Sequence, residues 1–193
     1  TVWTGEPRSY AHVGAHQHLA TIRKLLLDGK QKEAEQLAMR EFMGVPMRQM
    51  AYQPFGNVEL AFPGIDAAQI TDYKRSLDLD AAMAVTEFTH AGTRFRREVF
   101  ASWPAQVIVI RLTASTPGKL SMSVGLTSPH AGASVTVGAN SIPLTGAPAA
   151  SAIRFEARLL ASVGGGKQSV DGNRVSVENA TSATLILTGA TNF

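Results

Sequence analysis

The stretch Ala51-Tyr52-Gln53-Pro54-Phe55-Gly56-Asn57-Val58-Glu59-Leu60 is where the chain changes period. Before it, apolar residues recur at helical spacing. After it they alternate: Val58, Leu60 and Phe62 interleave with Glu59 and Ala61, which sends the two sets to opposite faces of an extended strand. Everything beyond Pro54 reads as strand, so the fold is expected to be mainly β.

Working outward, Met83 to His90 and Arg94 to Phe100 flank Ala91-Gly92-Thr93 and predict a hairpin. Gln106 to Leu112 is apolar on both faces, Val107 and Val109 opposing Ile108 and Ile110, which predicts a central strand covered on both sides. Leu120, Met122, Val124 and Leu126 alternate with polar or small residues, the pattern of a strand with one wet face. Ile153, Phe155, Ala157 and Leu159 repeat that pattern, Asp171-Gly172-Asn173 turns the chain into Val175 and Val177, and Leu185 and Leu187 close the series. Ser128 to Ala152, rich in small residues, reads as a loop with one short strand near Ser134 to Val137. About nine or ten strands separated by Gly, Pro and Ser turns predict an antiparallel β-sandwich.

Upstream of the boundary, Thr1 to Ala15 reads as irregular. Leu19, Ile22, Leu25 and Leu26 form the apolar side of a helix that Gly29 caps. Ala34, Leu37, Ala38 and Phe42 form the side of a second, stopped by Gly44 and Pro46. A helical hairpin over 16–44 therefore precedes the strands of 57–193, all within one sandwich domain, 1–193.

Composition limits the function. The formal net charge is +3, but acidic residues lie among the scattered Lys and Arg, so no basic stripe tracks phosphates and nucleic acid is not an expected partner. Cysteine is absent, which removes disulfides, thiolate nucleophiles and cysteine metal sites. No apolar run reaches the roughly 18 residues that a membrane span needs, so no membrane partner is expected.

Several residue clusters suggest chemistry, and most have a plainer role. Asp78 and Asp80, two apart on the expected strand, would share a face at roughly the 6.5 to 9.5 Å separation of an inverting glycosidase pair. A solvated or ion-paired face with Lys74 and Arg75 explains them more simply. His12, His16 and His18 could supply metal ligands but lack a clear third partner, so no metal and no cofactor are expected. Gly164-Gly165-Gly166-Lys167 fails as a phosphate loop, having Ala161 and Gln168 where Gly and Ser or Thr are needed, and reads as a flexible hairpin loop. Trp3, Tyr52 and Gln53 suit recognition better, because sugars are held by aromatic faces with planar polar groups at their rims.

Those last residues also carry a resemblance. Thr1-Val2-Trp3-Thr4-Gly5-Glu6-Pro7-Arg8 is similar to the Asn-Glu-Asp-Thr-Leu-Trp-Ser-Gly-Gly-Pro segment of glycoside hydrolase family 95, the α-L-fucosidases and relatives. Ile22-Arg23-Lys24-Leu25-Leu26 resembles that family's helix pair, and Tyr52-Gln53-Pro54-Phe55-Gly56 its Tyr-Gln-Pro-Leu-Gly. Tyr73-Lys74-Arg75-Ser76-Leu77-Asp78-Leu79-Asp80, Arg97-Glu98-Val99-Phe100-Ala101-Ser102 and Gln106-Val107-Ile108-Val109-Ile110-Arg111-Leu112 follow in family order.

The resemblance implies an N-terminal β-sandwich lacking its first strands and the catalytic barrel of paired helices that follows. It implies no catalytic residue in this chain, and a structural role for Asp78 and Asp80. The parent's implied chemistry is inverting hydrolysis of a terminal α-L-fucoside. Trp3, Tyr52 and Gln53 become substrate-binding or domain-interface residues, with the parent's barrel and carbohydrate as partners. Family habit suggests a periplasmic or secreted enzyme. A sandwich short of strands should expose an edge or apolar surface, so the isolated fragment should self-associate or be marginally stable. The rival reading is a free-standing carbohydrate-binding or protein-interaction module.

Overall fold

A computed structural model describes residues 1–5 and 7–193; Glu6, within the quoted opening segment, lies outside the described residues. The opening is not wholly irregular. Strand β1 (Val2–Trp3) pairs antiparallel with β2 (Tyr52–Gln53), a ladder too short for any period to announce. Between them lies the expected helical hairpin, with a 3-10 turn at Ala15–His18 followed by α1 (Leu19–Leu27) and α2 (Gln31–Glu41). Gly29 supplies the left-handed link at φ 74°, and the Gly29 and Lys30 amides donate back to the Leu26 and Leu25 carbonyls.

The strands continue as β3 (Asn57–Ala61), β4 (Thr71–Asp78), β5 (Met83–His90), β6 (Thr93–Ser102), β7 (Val107–Ala114), β8 (Leu120–Thr127), β9 (Ser134–Val135), β10 (Ser141–Gly146), β11 (Phe155–Gly164), β12 (Lys167–Asp171), β13 (Arg174–Ala180) and β14 (Ser182–Thr191). Eight form a large sheet in the order β4-β5-β6-β7-β14-β11-β10-β9, and four form a small one, β12-β13-β8-β3. Every pairing is antiparallel, as the alternation predicts. The Ala91-Gly92 hairpin forms as read, with both residues at positive φ, 46° and 74°.

The two sheets are joined by ribbons that pass from one to the other. β11 and β14 pair along their full length, then turn at Gly164 and Thr181 into β12 and β13. The core fills the space between, with Leu120, Met122, Val124, Val175 and Val177 from the small sheet against Ile142, Leu144, Leu159 and Leu185 from the large one. All of these are at most 1% exposed.

Three sequence expectations need correction. Strand β7 is central but is not covered on both faces: Arg111 on its outer face is exposed, and Ile108 on its inner face is 41% exposed. Its outer apolar residues join a cross-strand row, Phe100, Val109, Ile186 and Leu160, rather than a second layer. The 128–152 region holds a further strand, β10, hidden in the sequence by Pro143. Ile142 and Leu144 point into the core on either side of that proline, and the Pro143 carbonyl accepts from the Thr136 amide. The Gly164–Gly166 run does not close a hairpin: the strands it joins, β11 and β12, pair with β14 and β13 rather than with each other, and Gly165 and Gly166 take φ 77° and 71°.

Candidate functional site

Asp78 and Asp80 do not form a carboxylate pair on one strand face. β4 ends at Asp78, and Asp80 stands in the turn. The Asp78 Oδ1 atom accepts from the Asp80 and Ala81 amides at 3.0 and 2.9 Å, closing the β4–β5 turn in the way that Asx side chains do. The carboxylate is engaged in holding backbone. Among the described residues, no group of three or more His, Cys, Asp or Glu could hold a metal ion. His12 Nδ1 lies 3.1 Å from the Met43 carbonyl, and His18 faces Glu41 at 4.0 Å.

The structure brings Trp3, Tyr52 and Gln53 together. Trp3 and Tyr52 are direct cross-strand partners, and Gln53 sits opposite Val2, which is buried at 2% exposure and fixes the ladder to the core. Trp3 Nε1 donates to the Met50 carbonyl at 2.8 Å, and its ring meets Phe193 edge-on with 5.5 Å between centroids. The Thr4 hydroxyl donates to the Ala51 carbonyl, and the hydroxyl of Ser151, in the β10–β11 connection, donates to the Thr4 carbonyl, which ties the ladder to the sandwich. Tyr52 as a residue is 74% exposed. Paired residues share a face and successive ones alternate, so Trp3 and Tyr52 present their rings on one face of the ladder and Gln53 lies with Val2 on the other.

The same segment continues into the sandwich through Pro54-Phe55-Gly56. His130 Nε2 lies 2.9 Å from the Pro54 carbonyl, the Ser128 hydroxyl donates to the Phe55 carbonyl at 3.0 Å, and Phe55 packs on Phe155 at 4.6 Å. Beyond Phe55 opens a cleft of about 740 Å³ between the sheets. Its floor is Ile108, Leu144 and Leu187, and at its rim stand Asn57, Gln106 and Trp103. Trp103 is 85% exposed on the β6–β7 turn. Sequence reading missed this cleft, because apolar Ile108 on a both-faces-apolar strand signals full burial.

A charged network lies on the outer face of β5 and β6. Arg96 bridges Glu87 and Glu98 at 2.9 Å each, and Arg94 reaches Glu87 at 2.6 Å. The hydrogen bond from Arg96 holds the Glu87 carboxyl below the ordinary range, helped by Arg94, and the Glu98 and Glu87 carboxylates raise Arg96. All are satisfied by one another, which suits a solvated ion-pair face.

The helical hairpin is the remaining unusual feature. Ala34 is the one buried residue of its two helices. Leu26, Leu27, Met39, Phe42, Met43 and Met47 are exposed, and the run continues through Met50 to Tyr52. Met39, Met43 and Met47 recur every four residues in the sequence, but α2 ends at Glu41, so only Met39 lies on the helix and the other two lie in the segment that follows.

Comparison with known proteins bears on this geometry. The family model described as "Glycosyl hydrolase family 65, N-terminal domain" matches residues 1–193. Alpha-L-fucosidase 2 of Arabidopsis thaliana is 31% identical across all of this chain, which corresponds to 26% of that protein. A probable alpha-fucosidase A of Aspergillus oryzae is 31% identical over 65 residues, 34% of this chain and 9% of that protein. Among solved structures, a putative kojibiose phosphorylase from the human microbiome aligns with 70% of this chain and 22% of its own, at 12% identity and a TM-score of 0.49. The chain thus spans about a quarter or less of the curated relatives it matches.

Proposed function

The chain belongs to the glycosyl hydrolase family 65 N-terminal domain family, and from that premise we propose that it is the noncatalytic β-sandwich of an α-L-fucosidase-type glycoside hydrolase, as in family 95, and carries the parent's catalytic barrel. Residues 1–193 act as one domain in this reading. The parent hydrolyses terminal α-L-fucosides with inversion: a carboxylic acid protonates the leaving oxygen and a second carboxylate directs water to the opposite face of the sugar. Both groups belong to the barrel. The names of the two curated relatives support fucoside as the substrate class.

One observation carries the docking role. The helical hairpin leaves Leu26, Leu27 and Met39 exposed, and the irregular segment after it, with Phe42, Met43, Met47 and Met50 exposed as well, leads into the Trp3–Tyr52 ladder. Exposed apolar area on that scale is a cost to an isolated domain and is ordinary at an interface. Methionine suits such a surface because its flexible thioether adapts to an irregular partner. Gln53, fixed opposite buried Val2, then stands at the edge of the parent's sugar pocket, where its amide can bond a hydroxyl.

Kinetics of the parent enzyme test this. Gln53→Ala should lower kcat/KM for an aryl α-L-fucoside about tenfold with little loss of stability, the cost of one polar contact. Met43→Ser combined with Met47→Ser should instead lower the melting temperature. Unchanged kinetics and unchanged stability in both variants would discard the reading. The rival, a free-standing carbohydrate-binding module, draws support from the exposed rings of Tyr52 and Trp103; it requires sugar binding by the 193-residue chain alone.

A further inference from the structure

The β1–β2 ladder is the smallest sheet among the described residues and joins neither of the others. Two residue pairs do not hold a ladder together in water, so its position depends on what its side chains touch. Val2 fastens β1 to the core, where it is 2% exposed. β2 has no such anchor of its own: Tyr52 is exposed and Gln53 half-buried. It is held instead from β1, through the two residues that precede it. The Trp3 indole Nε1 donates to the Met50 carbonyl at 2.8 Å, and the Thr4 amide and hydroxyl both donate to the Ala51 carbonyl.

The Trp3 ring is itself fixed. Phe193, just beyond β14, meets it edge-on. On another side it is pressed against Gly5, where an added Cβ would run into the ring. Gly5 is buried and outside the left-handed region, so the ring and not the backbone angle calls for glycine there. The one polar group of Trp3 is thus spent on Met50 and its ring on Phe193 and Gly5, which leaves Tyr52 as the aromatic surface of the ladder open to a ligand.

We infer that Trp3 is a positioning residue: it does not meet sugar, and it holds the Met50–Gln53 backbone so that the Gln53 amide keeps one place at the edge of the parent's sugar pocket. This rests on the reading of Gln53 given above. The indole is suited to the task because it grips β2 from a strand that is already tied to the core, and because Phe193 and Gly5 leave it one place to sit. Releasing it lets β2 shift while the Thr4 bonds keep the ladder attached. A shift of about 1 Å in a binding group can cost up to about a hundredfold in rate.

A double-mutant cycle in the parent enzyme, read as kcat and KM for an aryl α-L-fucoside, tests the inference. Trp3→Ala should lower kcat/KM as far as Gln53→Ala does, about tenfold and mainly through KM, and in the Gln53→Ala background it should change it by less than about twofold. Trp3→Phe keeps a ring beside Phe193 and loses the donor to Met50, so it should lower kcat/KM about threefold with the same dependence on Gln53. Gly5→Ala, which displaces the ring, should match Trp3→Phe and have no effect once Trp3 is alanine. Equal losses with and without Gln53 would overturn the inference, because a residue that only stabilises the fold, or that touches sugar itself, costs the same in both backgrounds. If Trp3→Ala does not fold, Trp3→Phe decides by the same comparison, and wild-type kinetics for Trp3→Phe would overturn it. A Gln53→Ala enzyme with unchanged kcat/KM would overturn the reading of the site as well; a loss on Gln53→Ala to which the Trp3 losses simply add would overturn this inference alone.

Discussion

Gly56→Ala is expected to destabilise the domain by about 2 kcal/mol, a fall in melting temperature of roughly 4 to 8 °C for a chain of this size. The reason is space rather than dihedral freedom, since Gly56 does not occupy the left-handed region. A methyl group there would run into the Thr127 carbonyl oxygen and lie 3.1 Å from Leu144 Cδ2. Neither neighbour can retreat cheaply. Thr127 ends β8, which is paired with β3 through Asn57 and with β13 through Gly125, and Leu144 is 1% exposed in the core. Gly132 is the control: nothing lies within 4 Å of its would-be Cβ, so Gly132→Ala should leave the melt within about 0.5 kcal/mol of the parent sequence. Thermal or urea denaturation of the three proteins decides. Equal melts would mean that Phe55-Gly56 does not lie against β8 as described.

Leu159→Ala is expected to cost more, about 3 kcal/mol, and Leu160→Ala about 0.5 kcal/mol. The residues are neighbours on β11 and differ only in face. Leu159 is 0% exposed, flanked in register by Ile142 of β10 and Leu187 of β14, so truncation leaves a cavity that paired strands on both sides prevent from closing. Leu160 is 46% exposed on the outer face. Denaturant midpoints at unchanged slope would measure the contrast; similar losses at the two positions would contradict the alternation on which the sandwich rests.

That alternation is why so much of the fold is legible in the chain. Wherever one sheet face is wet, as in β8, β11 and β13, the two-residue period writes the strand and its buried face into the sequence. Helix ends are legible for a different reason: Gly29 has a conformation that other residues adopt at a cost. What escapes is anything decided by tertiary partners. β1 and β2 are two-residue strands created by their pairing with each other, and β10 survives a proline because its neighbours β9 and β11 tolerate the missing donor. Burial of β7 was misjudged because apolar side chains record what a surface can bury, and the described residues leave its outer row and Ile108 uncovered.

The candidate site divides in the same way. Trp3, Tyr52 and Gln53 lie up to fifty positions apart in sequence, and their pairing in one ladder is a fact of topology. Asp78 was readable only as a carboxylate on a strand; that it caps the turn by accepting two amides depends on β4 ending there. The cleft had no local signal at all, since it arises from one sheet being narrower than the other.

The claim that this domain supplies scaffold and not chemistry is tested most directly by assaying the purified 193-residue chain against an aryl α-L-fucoside beside the parent enzyme. The parent should turn the substrate over and the chain should give the buffer rate. Turnover by the chain, lost on Asp78→Asn, would contradict the account and return that carboxylate to the chemistry.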